Sequence, residues 1–180
     1  QQSTDVDFLK YEGPTDPTIT GSIGNIFTYK NFRLNVFVTY SGGNKVRLDP
    51  MFRSSYSDLD ATPKDFKNRW VLPGDVMASS FERNQYANLS IAYNSYNYST
   101  ARIASGAFVR LKEVSLSYDF PKEWLKSTPI SSVGLKIQGT NLALLYADSK
   151  LNGQDPEFFR SGGVSAPVPK QFTLTLKVGF

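Results

Sequence analysis

Phe32-Arg33-Leu34-Asn35-Val36-Phe37-Val38-Thr39-Tyr40 decides the fold. Phe32, Leu34, Val36, Val38 and Tyr40 are apolar at every second position; Arg33, Asn35 and Thr39 between them are polar, with Phe37 the single exception. Successive side chains of a strand point to opposite faces, so this stretch has one apolar and one wet side. The pattern returns at Gln171 to Phe180, where Phe172, Leu174, Leu176, Val178 and Phe180 alternate with Gln171, Thr173, Thr175, Lys177 and Gly179. Noisier versions occupy Ile19 to Tyr29, Gly106 to Phe120 (Val114, Leu116, Tyr118 and Phe120 against Glu113, Ser115, Ser117 and Asp119) and Val133 to Leu144 (Val133, Leu135 and Ile137 against Gly134, Lys136 and Gln138). The reading is all-β, with antiparallel strands over about 19–29, 32–44, 106–120, 133–144 and 171–180. No helix of ordinary length competes.

Composition narrows the chemistry. The 180 residues suit one domain or part of a larger one, and 40% hydrophobic with 20% charged residues argues against disorder. No run approaches the roughly 18 apolar residues of a spanning helix. Thirteen Phe, 10 Tyr and 2 Trp favour strands. The chain has no Cys and no His. Disulfides, thiol chemistry, zinc on Cys or His, haem on His and His-based triads are excluded, and neither enzymatic activity nor a cofactor or metal is expected. The net charge of +4 is spread along the chain, which argues against a nucleic-acid partner.

The connections alternate in length. Lys30-Asn31 is a tight turn, and Pro121 to Ser132 is short, with a helical turn expected at Pro121 to Lys126. Residues 45–105 and 145–170 form long loops, a length usually tied to function. Thr62-Pro63-Lys64-Asp65 opens a short expected helix to about Trp70, and Asn84 to Thr100 is dense in Asn, Ser and Tyr. Short turns at one end and long loops at the other mark a transmembrane β-barrel, with the long loops extracellular. Strands of about ten residues match the 9 to 11 that cross a bilayer at a tilt. Aromatics at strand ends (Phe32 and Tyr40, Tyr118 and Phe120, Phe172 and Phe180) match an aromatic girdle. Five strands do not close a barrel, since bacterial ones use an even number from 8 upward. Open edges in lipid cost several kcal/mol per unpaired group, so a larger barrel is expected, with this piece its C-terminal part.

Several motifs resemble SusC-like TonB-dependent transporters of Bacteroidetes. Phe108-Val-Arg-Leu-Lys-Glu-Val-Ser-Leu-Ser-Tyr-Asp-Phe-Pro-Lys-Glu-Trp-Leu125 is similar to their "F-L-R-L-x-N-V-x-L-S-Y-x-L-P" strand, with Glu113 where Asn is commoner. Gly139-Thr-Asn-Leu142 resembles their "G-x-N-L", Asp155-Pro-Glu157 their "D-P-E", Phe27-Thr-Tyr-Lys-Asn-Phe32 their "F-T-Y-K-N-F" hairpin, and Pro169 to Phe180 their closing strand. The likeness runs from about Gly21 to Phe180 with the motifs in the family's order. It implies the C-terminal part of a 22-stranded barrel whose N-terminal plug domain is absent here. It also implies an outer-membrane location, a SusD-like lipoprotein partner, energy from the TonB system, and import of glycans or peptides.

Site residues follow from these two readings. Arg33, Asn35, Thr39, Glu113, Ser115, Ser117, Asp119, Lys136, Gln138, Thr173, Thr175 and Lys177 are expected to face the lumen, mostly as hydrated wall and in part toward plug or substrate. Phe172, Leu174, Leu176, Val178 and Phe180 form the expected signal for the barrel assembly machinery. Trp70, Tyr86, Tyr93, Tyr96 and Tyr98 are candidates for ligand or partner contact in the long loop, because aromatic faces stack on sugars and anchor interfaces. Asn88-Leu-Ser90 and Asn97-Tyr-Ser99 match the glycosylation triplet and are expected to be unused. Asp58-Leu59-Asp60 lacks the Gly of a calcium loop. Two other readings stand beside the transporter: a barrel of this kind serving as scaffold in a larger outer-membrane complex, and a secreted β-sandwich that binds carbohydrate through its Tyr-rich loop.

Overall fold

The computed structural model describes residues 7, 9–50, 64, 94–159 and 168–180. Strands β1 (Ile19–Tyr29), β2 (Phe32–Gly42), β3 (Lys45–Arg47), β4 (Ile103–Ser105), β5 (Phe108–Asp119), β6 (Ser132–Ala147) and β7 (Gln171–Gly179) follow in order. Five form one antiparallel sheet in the order β1-β2-β5-β6-β7, and β3 pairs with β4. Each long strand lies beside its predecessor in that sheet, the up-and-down meander of a barrel wall. Among the described residues no helix is long and apolar enough to cross a membrane.

Register places the alternating residues on two faces. Phe32, Leu34 and Val36 stand opposite Tyr118, Leu116 and Val114, and Leu116 and Tyr118 in turn face Ile137 and Leu135 of β6. These residues, with Leu174 and Leu176 of β7, make the apolar face. Nothing described covers it: Ile23 is 67% exposed, Phe172 75% and Leu174 69%. A sandwich would bury this face under a second sheet, and among the described residues none lies there.

Irregularities in β5 and β6 keep that face apolar along its length. On β5 the apolar phase changes from Val109 and Leu111 to Val114, Leu116 and Tyr118, so an uninterrupted strand would split them between faces. A bulge at Lys112 absorbs the extra residue: Val38 pairs with Leu111 while Phe37 pairs with Glu113. Facing it on β6, the register passes from Thr140 to Ala143, skipping Asn141 and Leu142. Asn141 adopts the left-handed conformation there (φ 53°), which Asn tolerates better than most residues. Leu142 folds back over Gly139, where a Cβ would sit 2.7 Å from its Cδ2. Only glycine leaves that room.

The core lies at the long-loop end. Gly43 (φ 85°) turns the chain out of β2 into β3, and a side chain there would collide with Thr18. The β3–β4 ribbon thereby continues the β2–β5 hairpin, so the span expected as a single loop begins and ends in strand. Its pairing follows from the alternation of Val46 and Ala104, which bury one side of the ribbon against Leu48 and Leu151, with Ala147 and Phe159 packed on them. The opposite end is built from turns. Lys30 is left-handed (φ 51°) in the two-residue β1–β2 turn, and Asn31 Nδ2 donates to the Asp119 carbonyl at 2.6 Å. A 3-10 turn over Lys122–Leu125 follows Pro121.

Candidate functional sites on the polar face and the long-loop rim

The polar face is ordered in rows across strands. Asp119, Gly134 and Lys177 stand in one row; Arg33, Ser117, Lys136 and Thr175 in the next; then Asn35, Ser115, Gln138 and Thr173; then Phe37, Glu113, Thr140 and Gln171. A trough of about 320 Å³ runs over the first three rows, lined by Arg33, Asn35, Ser115, Ser117, Asp119, Lys136 and Lys177 among others. Ser115 is its buried floor. Glu113 is held above the trough, where it accepts a 3.2 Å hydrogen bond from Asn35 Nδ2. Gly134 leaves space beside Asp119, whose Oδ1 lies 3.0 Å from where a Cβ would be.

At the long-loop end a second cluster forms on the same face. Arg110 pairs in register with Thr39, so its side chain points to the polar side. Its Nη2 lies 2.5 Å from both carboxylate oxygens of Asp155, and both side chains are over nine-tenths buried. Nε is 3.2 Å from Glu157 Oε2, close enough for an ion pair though not aligned for a hydrogen bond. The guanidinium also stacks over Phe108 at 5.5 Å. Asp155 Oδ1 in turn accepts from the Glu157 amide at 3.1 Å, so the acid fixes its own loop as well as the arginine. A few residues earlier, Asp148 accepts from the amides of Ser105 (2.8 Å) and Lys150 (3.0 Å), and these bonds, led by that from Lys150, hold its carboxyl below the ordinary value of 3.8. Lys150 Nζ reaches the Ile103 carbonyl at 3.2 Å.

The ribbon arginines organise the start of the described part of the loop. Arg47 Nη1 donates to the carbonyls of Asn97 and Ser99 (3.3 and 3.4 Å) and its guanidinium lies 5.7 Å from the Tyr98 ring. Arg102, buried, donates to the Asp49 carbonyl at 2.5 Å and lies 6.0 Å from the Tyr96 ring. On the apolar face, Phe32 and Tyr118 (4.5 Å), Tyr118 and Phe120 (5.0 Å) and Phe120 and Trp124 (6.1 Å) form an aromatic chain at the short-turn end.

The chain is similar to known proteins. Over 148 residues it is 28% identical to TonB-dependent receptor P3 of Formosa agariphila, and over 153 residues 24% identical to TonB-dependent receptor P39 of the same organism. Each match covers 82% of this chain and 14% of the relative. The fold superposes on the RagAB peptide importer in its 'closed-closed' state with a TM-score of 0.66 at 20% identity, and in its 'open-open' state with 0.64 at 17%. Both structural matches cover 95% of this chain and 18% of the other. No family profile matches the chain. The chain is similar to TonB-dependent receptors over most of its length, and its sheet has the fold of a segment of the RagAB importer.

Within the segment the motif residues have identifiable tasks. The arginine of Phe108-Val-Arg-Leu grips the Asp155-Pro-Glu157 loop, and the glycine and asparagine of Gly139-Thr-Asn-Leu142 seat the β6 bulge. Of the residues expected in the lumen, the polar face gathers Arg33, Asn35, Asp119, Lys136 and Lys177 around one trough; Gln138 shares the row of Asn35 and Ser115 without lining it, and Glu113 stands in the row beyond. Phe172, Leu174, Leu176 and Val178 project from the apolar face of β7, all exposed, and Phe180 follows at 88%. Tyr96 lies under Arg102 and Tyr98 under Arg47, and Tyr98 is nonetheless 68% exposed. Trp70, Tyr86 and Tyr93 lie outside the described residues, as do Asn88, the Asp58-Leu59-Asp60 stretch and most of the Thr62 to Trp70 segment. Asn97 is only 7% exposed, a poor glycan acceptor. Sequence reasoning did not single out Arg110, Asp155 and Glu157 as one cluster. The signal available was the phase change after Leu111, which turns Arg110 to the same side as Thr39.

Proposed function

We propose that this segment supplies wall and extracellular loops to an outer-membrane nutrient importer. The carrying observation is the open five-stranded sheet with one exposed apolar face and one face of charged rows. In this reading the apolar face meets lipid, the polar face lines the lumen, the β2–β5 and β6–β7 loops point outward, and the rest of the barrel continues from the free edges of β1 and β7. Phe172, Leu174, Leu176, Val178 and Phe180 carry the assembly signal, and the TonB system acts through a plug elsewhere in the receptor. Glycans or peptides are the cargo and a SusD-like lipoprotein is the partner, with Tyr98 the described loop aromatic best placed to touch either. Peptide cargo is supported by a neighbour of the same fold, the RagAB peptide importer, and the receptor role by the TonB-dependent receptors that the chain resembles.

Neighbouring cysteines on β7 test the orientation, since the natural segment has no Cys. In outer membranes holding the full-length receptor, Thr175→Cys should react with a hydrophilic maleimide and Leu174→Cys should not. Equal labelling at both positions would overturn the assignment of faces. A scaffold role predicts the same labelling, but stoichiometric co-purification with proteins other than a lid lipoprotein.

A further inference from the structure

The trough on the polar face has an unbalanced charge. Arg33, Lys136 and Lys177 line it with Asp119 as the only carboxylate among its lining residues. None of these three cations forms an ion pair among the described residues. The other carboxylate of the lower rows, Glu113, is occupied by Asn35 and stands two rows from Arg33. Arg33 and Lys136 are two strands apart, about 10 Å, with Ser117 between them in the same row. The small side chains of Ser115, Ser117 and Gly134 lower the floor between these long cationic walls.

We propose that this trough is an oxyanion site that takes a carboxylate. The planar Arg33 fork suits bidentate pairing with a carboxylate, Lys136 and Lys177 add point charges from the opposite wall, and the Ser117 hydroxyl is available in the row between. A neutral polyol would leave this charge excess unanswered. The carboxylate comes either from another segment of the receptor lying within the lumen or from an anionic solute in passage. The proposal rests on the polar face being the lumen wall.

Amine-reactive labelling of the full-length receptor in detergent, read by mass spectrometry at Lys136 and Lys177, tests it and separates the sources. A resident segment predicts that both lysines resist labelling without added anion, and that the triple variant R33Q/K136Q/K177Q lowers the melting temperature. An anionic solute predicts ready labelling that falls severalfold with excess glutarate, and loss of that protection in R33Q. Ready labelling unaffected by glutarate would overturn the site, as would protection retained in R33Q. A failed site with the β7 cysteine pattern intact leaves the wall assignment standing. Equal reactivity of Thr175→Cys and Leu174→Cys would instead remove the lumen on which the site rests.

Discussion

Single residues hold the rim of this segment through buried chemistry. Arg110 and Asp155 are both withdrawn from water, and removing one partner of such a pair strands the other. R110Q should therefore destabilise the loop carrying Asp155-Pro-Glu157 by about 3 to 5 kcal/mol, the usual cost of breaking a buried pair. Hydrogen exchange of residues 148–159 in the purified receptor reads that loss, and unchanged exchange would show that the clamp contributes nothing. Asp148 adds a pH dependence. Its carboxyl is lowered by the amides of Lys150 and Ser105, so its contribution is fully present above its unfolded value and is lost as pH falls through the folded one. The turn over Ser149–Leu151 should stay closed at neutral pH and open only in acid below the ordinary 3.8. Asp148→Asn should remove that acid step when amide exchange at Lys150 and Ser105 is followed against pH. Crowding sets the demand at Gly139, because a Cβ there would meet Leu142.

At the scale of the element, a strand serves the fold by keeping its two faces apart. Val36 sits mid-strand on the apolar face opposite Val114. V36R should reduce assembled receptor in outer membranes, since an arginine near the midplane of a lipid-facing strand costs about 2 to 4 kcal/mol. Normal abundance of that variant would mean that this face does not meet lipid. The bulge on β5 makes a sharper demand. Deleting Lys112 should remove the bulge and leave one uninterrupted alternation, with Val109, Leu111 and Val114 on the apolar side and Arg110 and Glu113 on the polar side. Receptor lacking Lys112 should therefore assemble about as well as K112A, which keeps the residue count; a much lower yield of the deletion would show that the bulge itself is required, beyond the alternation it preserves.

Over the whole molecule, the open edges dominate. β1 pairs only with β2, and β7 only with β6, so each leaves a row of backbone donors and acceptors without a strand partner among the described residues. Unpaired edges in a low-dielectric phase cost several kcal/mol per group. These 180 residues refolded alone in detergent should accordingly associate through their edges instead of running as a 20.1 kDa monomer, as size-exclusion chromatography with light scattering would show. A stable monomer would require a closure that the described sheet does not have. The buried apolar cluster sits at the rim, around Val46 and Leu151, while among the described residues the sheet itself has no partner layer. This distribution suits a wall whose apolar face is met by lipid.

Period two was enough to find the five long strands, because alternation at Phe32 to Tyr40 and at Phe172 to Phe180 has no helical reading; the three-residue β3 and β4 are too short to carry the pattern. The same alternation sorted Arg33, Asp119, Lys136 and Lys177 onto the polar side, and the loop lengths separated the two ends. Register was the part that the sequence left open. Strand pairing sets which residues share a row, and a residue's own neighbours in the chain say nothing about the strand beside it. Only pairing brought Arg33, Ser117 and Lys136 into line and converted the β5 phase change into a bulge. Arg110 and Asp155 are separated by 45 positions in the chain, and their union exists only because the β6–β7 loop folds back over the polar side of β5.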